Sequence, residues 1–325
     1  KKCENITIYN DVSVTDLLKN GDKVTGALGM DLYNGELIQF EAKATILGTG
    51  GFQPYTLKSS NTDSTGDGQA MAYRAGAKLA DMEFILFMVT AIEPKEYRGS
   101  ILPALCTFRA AFDYDAVDAS GKLIDIPKKV REMESVSEMA KVLDMYYYGK
   151  VLNEGRGTKN DGFYFDFHRF TDEEIDRMFD AVMEHFEGFY PHGYYHGESI
   201  INYRDYIKKH RRIEVGFGGE YSVGGIYIDE NMMTGVPGLY AAGEVGCGAF
   251  GANRVADAVV EMIVQGYKAG EVAAQRSAGE VLVEAEKASV AKAVGTLEKI
   301  LSNKGGITVK QAKERLQSIS DATLK

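Results

Sequence analysis

The chain has 325 residues, 45% of them apolar and 26% charged, with a net charge of −10 at neutral pH. That leaves room for two or three domains and a sizeable core, and the acidic balance, with no basic stretch to track phosphates, argues against a nucleic-acid partner. No apolar run reaches the roughly 18 residues of a membrane span and no signal peptide opens the sequence, so no direct membrane insertion is expected.

The first residues carry no Met, and Asn5-Ile-Thr-Ile-Tyr9 already reads as an interior strand, as expected of a piece of a longer protein. Residues 24–32 and 37–42 form a predicted hairpin through Tyr33-Asn-Gly-Glu36, with Asn34-Gly35 supplying the positive φ angles of a type I′ turn. Lys43-Ala-Thr-Ile-Leu47 is a short apolar strand ending in Gly48, Gly50 and Gly51, as a parallel strand does when it delivers bare backbone to a ligand. Thr65-Gly-Asp-Gly68 leads into a helix over 69–77. Either Thr65 or Asp67 caps that helix, or Asp67 grips a ligand hydroxyl.

From about Glu83 to about Arg212 aromatics are dense, as in Tyr146-Tyr-Tyr148 and Phe163-Tyr-Phe165, and acidic helices appear. Thr171 with Glu174 marks one helix start as a capping box. An inserted α+β domain is expected there. The earlier pattern resumes near Tyr221-Ser-Val-Gly-Gly225. Val236-Pro-Gly-Leu-Tyr-Ala-Ala-Gly-Glu244 then reads as a buried strand and a glycine turn holding one acid, with Arg254 of Gly251-Ala-Asn-Arg254 following. Helices are predicted over 257–274, 279–301 and 308–324. Three scattered cysteines, Cys3, Cys106 and Cys247, are too few for a metal or iron–sulfur site and fit a reducing cytoplasm. Glycine-lined strand ends of this kind suit the ribityl hydroxyls and pyrophosphate of a flavin, and FAD is the expected cofactor.

These motifs, with Asp81-Met-Glu-Phe-Ile-Leu-Phe-Met88, Glu154-Gly-Arg-Gly157 and Glu220-Tyr-Ser-Val-Gly-Gly225, stand in an order and spacing that resembles one family across most of the chain. It is the flavoprotein subunit of succinate dehydrogenase and fumarate reductase, a group that includes L-aspartate oxidase and, more distantly, adenylylsulfate reductase. The resemblance implies an α/β fold. A Rossmann-like FAD-binding domain, incomplete without its N-terminal GxGxxG part, occupies 1–82 and 213–275. A capping domain occupies 83–212 and a C-terminal helical region 276–325.

The resemblance also implies roles. Thr49, Gly50, Gly51 and Gly224 lie in cofactor motifs. Asp67 and Glu244 would take ribityl or adenosine-side hydroxyls. Val259 falls where a family serine gives its backbone N–H to the isoalloxazine, with Ala258-Val259 replacing an asparagine–serine pair. Arg254 matches a carboxylate-binding arginine, a role that suits a guanidinium. Lys141, thirteen residues before Glu154, stands where the family has its proton-handling arginine. It is either the acid or a solvated helix lysine. Two substrate-holding histidines are replaced by Met88, which cannot donate a hydrogen bond, and Glu220, which would repel a dicarboxylate. His192 and His196 either reach a pocket or sit on a surface loop.

The expectation is a cytoplasmic FAD-dependent oxidoreductase acting on a small molecule other than a standard dicarboxylate. It would exchange hydride between flavin N5 and a C=C or CH–CH carbon. An iron–sulfur electron-transfer subunit is the expected partner, and any membrane link would run through a partner subunit. The alternative is a flavin-holding electron-transfer or scaffold subunit with a degenerate substrate site.

Overall fold

The computed structural model describes residues 5–52, 58–59, 64–101, 114–133, 139, 141–189, 198–247 and 258–323. The chain divides into two compact units. One takes Lys1–Gln53, Asp63–Ile85 and Tyr221–Arg315; the other takes Pro54–Thr62, Leu86–Glu220 and Leu316–Lys325. Helices and strands occur in both, so the expected α/β class is borne out.

In the first unit β1 (Val12–Asn20), β2 (Lys23–Asp31) and β3 (Leu37–Glu41) form an antiparallel sheet in that order. The 24–42 hairpin is present, but its turn is not type I′. Only Gly35 has a positive φ, 77°, while Asn34 does not. The Asp31 carboxylate accepts the N–H groups of Tyr33 (2.8 Å) and Asn34 (3.1 Å), and Asn34 Oδ1 accepts that of Glu36 (2.8 Å). Short polar side chains thus satisfy the turn locally, and one left-handed residue is enough. Residues 5–10 belong to no strand, and Ile6, Ile8 and Tyr9 are exposed. The interior strand expected at Asn5–Tyr9 is therefore corrected. Alternating side chains make a strand only beside a ladder partner, and among the described residues none pairs with this segment.

The second sheet of this unit is small and decisive. β4 (Thr45–Leu47) pairs in parallel with β11 (Leu239–Ala241), Leu47 opposite Ala241. A short antiparallel pair, β5 (Leu79–Ala80) with β10 (Gly225–Ile226), lies in the same unit. Helix α1 (Asp67–Ala75) brings Met71, Ala72 and Ala75 into a core with Val24, Leu47, Leu239, Ala241 and Val245. The alanines let that helix sit close to the strands. A 20-residue helix, α6 (Ala258–Ser277), packs Val272 and Ala273 on Tyr240 of β11. Helix α7 (Lys287–Leu301) lays Ala293 and Leu297 on Leu18 and Leu28. Its start falls later than the expected 279. Asn20 Nδ2 donates to Glu284 O and the Glu286 N–H to Lys19 O, each at 2.9 Å, so the backbone before Lys287 is committed to β1 rather than to a helix.

The second unit is built on a sheet ordered β6 (Ile85–Glu93), β9 (Arg212–Ser222), β8 (Phe163–Asp166), β7 (Asp115–Val117). Its core is aromatic. Phe163 stacks on Tyr148 at 4.5 Å and Tyr114 lies 4.2 Å from Phe165. Each such buried ring contributes roughly 1.5–3 kcal/mol. Helices α4 (Asp172–Phe189) and α5 (Glu198–His210) add Ile175, Phe179, Tyr203 and Ile207. The capping box is borne out: the Thr171 N–H donates to Glu174 Oε2 (2.8 Å) and the Glu174 N–H to Thr171 Oγ1 (3.2 Å). Shorter helical pieces are α2 (Lys128–Arg131), a π-helical turn (Leu143–Tyr148) and α3 (Gly149–Asn153). No described helix is long and apolar enough to cross a membrane.

Candidate cofactor site

Because β4 and β11 run parallel, the chain leaves both at the same edge of the pair. The ladder continues one rung, with the Ala242 N–H donating to Leu47 O at 3.0 Å. Both strands then turn through a left-handed glycine, Gly50 at φ 72° and Gly243 at φ 83°. These are conformations that a side chain would strain. The entry to α1 closes the third side.

The three turns interlock through side chains. A Cβ on Gly68 would fall 1.8 Å from Thr49 Oγ1, so the Thr49 hydroxyl lies against bare main chain at the start of α1. Gln69, 3% exposed, donates through Nε2 to Gly50 O at 3.2 Å. A Cβ on Gly51 would fall 2.4 Å from Glu244 Oε1 and 2.6 Å from Ser222 Oγ, which places the Glu244 carboxylate against the Gly51 Cα. Ser222 Oγ also accepts the Phe52 N–H at 3.3 Å. From α6, Gln265 Oε1 accepts the Gly243 N–H at 2.8 Å.

The cap expected from Thr65 or Asp67 is corrected. The N-cap of α1 is Gly66, left-handed at φ 78°, with no side-chain cap. Asp67 is the first helical residue, exposed, and its carboxylate accepts the Thr65 hydroxyl.

The glycines divide into two kinds. Gly51, Gly68 and Gly224 are required by the protein's own packing; a Cβ on Gly224 would lie 2.0 Å from Asp81 O. Gly48 is different. It is exposed, has no left-handed φ, and a Cβ there would meet nothing within 4 Å among the described residues. Gly50 is nearly as open, its closest neighbour among the described residues being Ser64 Oγ at 3.8 Å. Val259 stands in the first turn of α6 and is 65% exposed.

Ser222, Gln69 and Gln265 were not singled out from sequence. Glu261 and Gln265 did carry a signal, two polar residues one turn apart on the face of α6 that is buried.

The remaining candidates are placed elsewhere. Arg254, His192 and His196 lie outside the described residues. Met88, Glu220 and Lys141 belong to the second unit. Met88, 9% exposed, packs in its core with Val89 and Ala91. Glu220 is half-buried on β9, and Lys141 is half-buried just ahead of the π-helical turn. In Glu154-Gly-Arg-Gly157, Arg156 donates to the buried Asp118 at 2.7 Å and to Glu154 at 3.0 Å. The Ser120 hydroxyl, then Arg156 and the Lys122 and Ser120 N–H groups, hold the Asp118 carboxyl at about 2 against the opposing effect of burial. His168 pairs with Asp166 at 2.9 Å, and His210 stacks on Tyr206 at 4.4 Å.

A family model described as FAD binding domain matches residues 1–259. The chain is similar to a fumarate reductase (CoM/CoB) subunit of Methanothermobacter marburgensis, 31% identical over 279 residues that cover 84% of this chain and 46% of that one. It is similar to the L-aspartate oxidase of Yersinia pestis, 30% identical over 278 residues, 82% of this chain and 47% of that one. Among solved structures it is similar to the Mycobacterium smegmatis Sdh1 complex in the apo form, at 27% identity and a TM-score of 0.70, covering 94% of this chain and 48% of that one. The chain belongs to the FAD-binding domain family, and FAD is its cofactor. The resemblance to succinate dehydrogenase and fumarate reductase flavoproteins is borne out. The chain spans about half the length of the curated relatives it matches.

The described residues fit part of that cofactor. Open main chain at Gly48 and Gly50 admits a close-lying ligand. The carboxylates of Asp67 and Glu244 accept hydroxyl protons and repel phosphate at short range. Gln69 Oε1 is buried and has no hydrogen-bond partner among the described groups. This set of acceptors suits the hydroxyls of the polyol stretch of FAD, whose pyrophosphate calls for N–H groups or cations instead.

Proposed function

We propose that the chain is the flavin-holding part of a FAD-dependent oxidoreductase of the fumarate reductase and succinate dehydrogenase type. When bound, FAD supplies a two-electron centre that exchanges hydride with a substrate carbon. The chain's residues do the rest. Asp67 and Glu244 would accept hydroxyls of the ribityl or adenosine side, Thr49, Gly50, Gly51 and Gly224 would shape the turns that hold FAD, and the Val259 N–H would be a donor for the isoalloxazine. Arg254 binds an anionic group of the substrate, as a guanidinium does well. Lys141 delivers the proton in the reducing direction. The capping role falls to 83–212 and the FAD-binding role to 1–82 and 213–275.

With Met88 and Glu220 at the histidine positions, the substrate is a small unsaturated molecule other than a standard dicarboxylate. An iron–sulfur subunit would be the electron-transfer partner, on the cytoplasmic side, with membrane association only through a partner. The observation that carries this reading is the meeting of three glycine turns at the ends of a parallel strand pair, in a chain of the FAD-binding family.

The test is anaerobic. Reduced flavin on the purified protein is mixed with fumarate and with mono-anionic enoates. Reoxidation by an enoate but not by fumarate, slowed in Lys141→Ala and Arg254→Ala, is expected. A second reading, a flavin-holding electron-transfer or scaffold subunit, is favoured by the packing of Met88 in the core. It prevails if flavin binds, no enoate reoxidises it, and both variants leave turnover of the intact complex unchanged.

A further inference from the structure

The turn that carries Glu244 is held by a buried polar relay from α6. The last ladder bond of β11 is spent at Ala242. The next N–H, that of Gly243, donates to Gln265 Oε1 at 2.8 Å, and Gln265 Nε2 donates to Glu261 Oε1 at 2.9 Å. Both residues are 6% exposed and lie one helical turn apart. The turn then closes with the Gly246 N–H on Gly243 O at 3.0 Å, and the Glu244 carboxylate comes to rest against Gly51.

Packing alone does not require this pair. Apolar side chains at both 261 and 265 would fill the space without burying an amide and a carboxylate, each costly unless bonded. The relay does something an apolar contact cannot, because it has a direction. Glu261 Oε1 accepts from the NH2 end of the Gln265 amide while its oxygen accepts from the Gly243 N–H, so the two ends of the amide are not interchangeable.

On the flavin reading given above, we infer that Gln265 is a positioning residue. It fixes the 243–246 turn so that the Glu244 carboxylate stays where a cofactor hydroxyl meets it, and Glu261 sets the orientation of its amide. Neither residue touches FAD.

The experiment is a FAD titration of the chain, followed by flavin fluorescence, with thermal unfolding measured in parallel. Gln265→Leu is expected to weaken FAD about tenfold in the wild-type background, from the loss of one bond to a half-buried N–H. In a Glu244→Ala background the same change has no further effect, because the group it positions is gone. If Gln265→Leu unfolds the chain, the exchanged pair Glu261→Gln with Gln265→Glu carries the test. That pair sets a carboxylate at 265 between two donors, the Gly243 N–H and the amide now at 261, and restores wild-type affinity, whereas Gln265→Glu alone sets two carboxylates face to face and loses it. Equal loss in both backgrounds, no loss in either, or failure of the exchanged pair overturns the positioning role while FAD binding by wild type keeps the flavin reading. A wild-type chain that takes up no FAD removes both.

Discussion

Gly48→Ala separates what the chain needs from what its cofactor needs. A methyl placed there meets no atom of the described residues within 4 Å, and the residue has no left-handed φ. The fold therefore has no objection to alanine. Stability of the cofactor-free protein should be unchanged or rise by about 0.4–1 kcal/mol, since alanine restricts the unfolded chain more than glycine does. If FAD lies against that bare Cα, the same methyl intrudes on a packed contact and costs about 1–3 kcal/mol. That is a loss of affinity of about 5- to 140-fold at 1.4 kcal/mol per decade. Urea unfolding of the cofactor-free protein gives the first quantity and a flavin fluorescence titration the second. Unchanged stability together with unchanged affinity would refute the reasoning, because the open space at the end of β4 would then not be where the cofactor lies.

The opposite pattern is expected of Gly224→Ala. Its Cβ would fall 2.0 Å from Asp81 O and 2.2 Å from Asp81 C, backbone atoms that cannot swing away, so thermal unfolding should show a loss of at least about 3 kcal/mol whether or not FAD is present. Acid should expose Asp118. Its folded carboxyl sits at about 2, below its ordinary value, so its contribution is complete above about pH 4 and is lost as pH falls toward 2. In Asp118→Asn that part of the acid dependence, followed by unfolding at stepped pH, should disappear and stability near neutrality should drop by about 1–3 kcal/mol.

What the sequence revealed was what local chemistry determines. The strand into Gly48-Thr-Gly-Gly51, the strand into Gly243-Glu244 and the Thr171–Glu174 cap each depend on neighbours within a few residues, and each was readable. The turn at Asn34-Gly35 was misread because the Asp31 carboxylate, just upstream, supplies the partners that a type I′ turn would otherwise need. Strand β1 was not recognised. Register shifts between Val14 and Asp16 and between Leu18 and Lys19 break the period-two pattern that marks a strand. The division of the glycines was beyond reach for a deeper reason. Gly51 and Gly48 look alike in sequence, and only the fold brings Glu244 and Ser222 onto the first and leaves the second open. The same holds for Gln265, whose partner Gly243 lies on a different element.

Amide hydrogen exchange of the chain, with and without FAD, bears most directly on the claim that these turns hold the cofactor. Protection should rise on adding FAD in peptides covering 48–52, 65–69 and 242–247, and at the first turn of α6. Uptake of FAD with exchange in those peptides unchanged, and protection gained elsewhere, would contradict it.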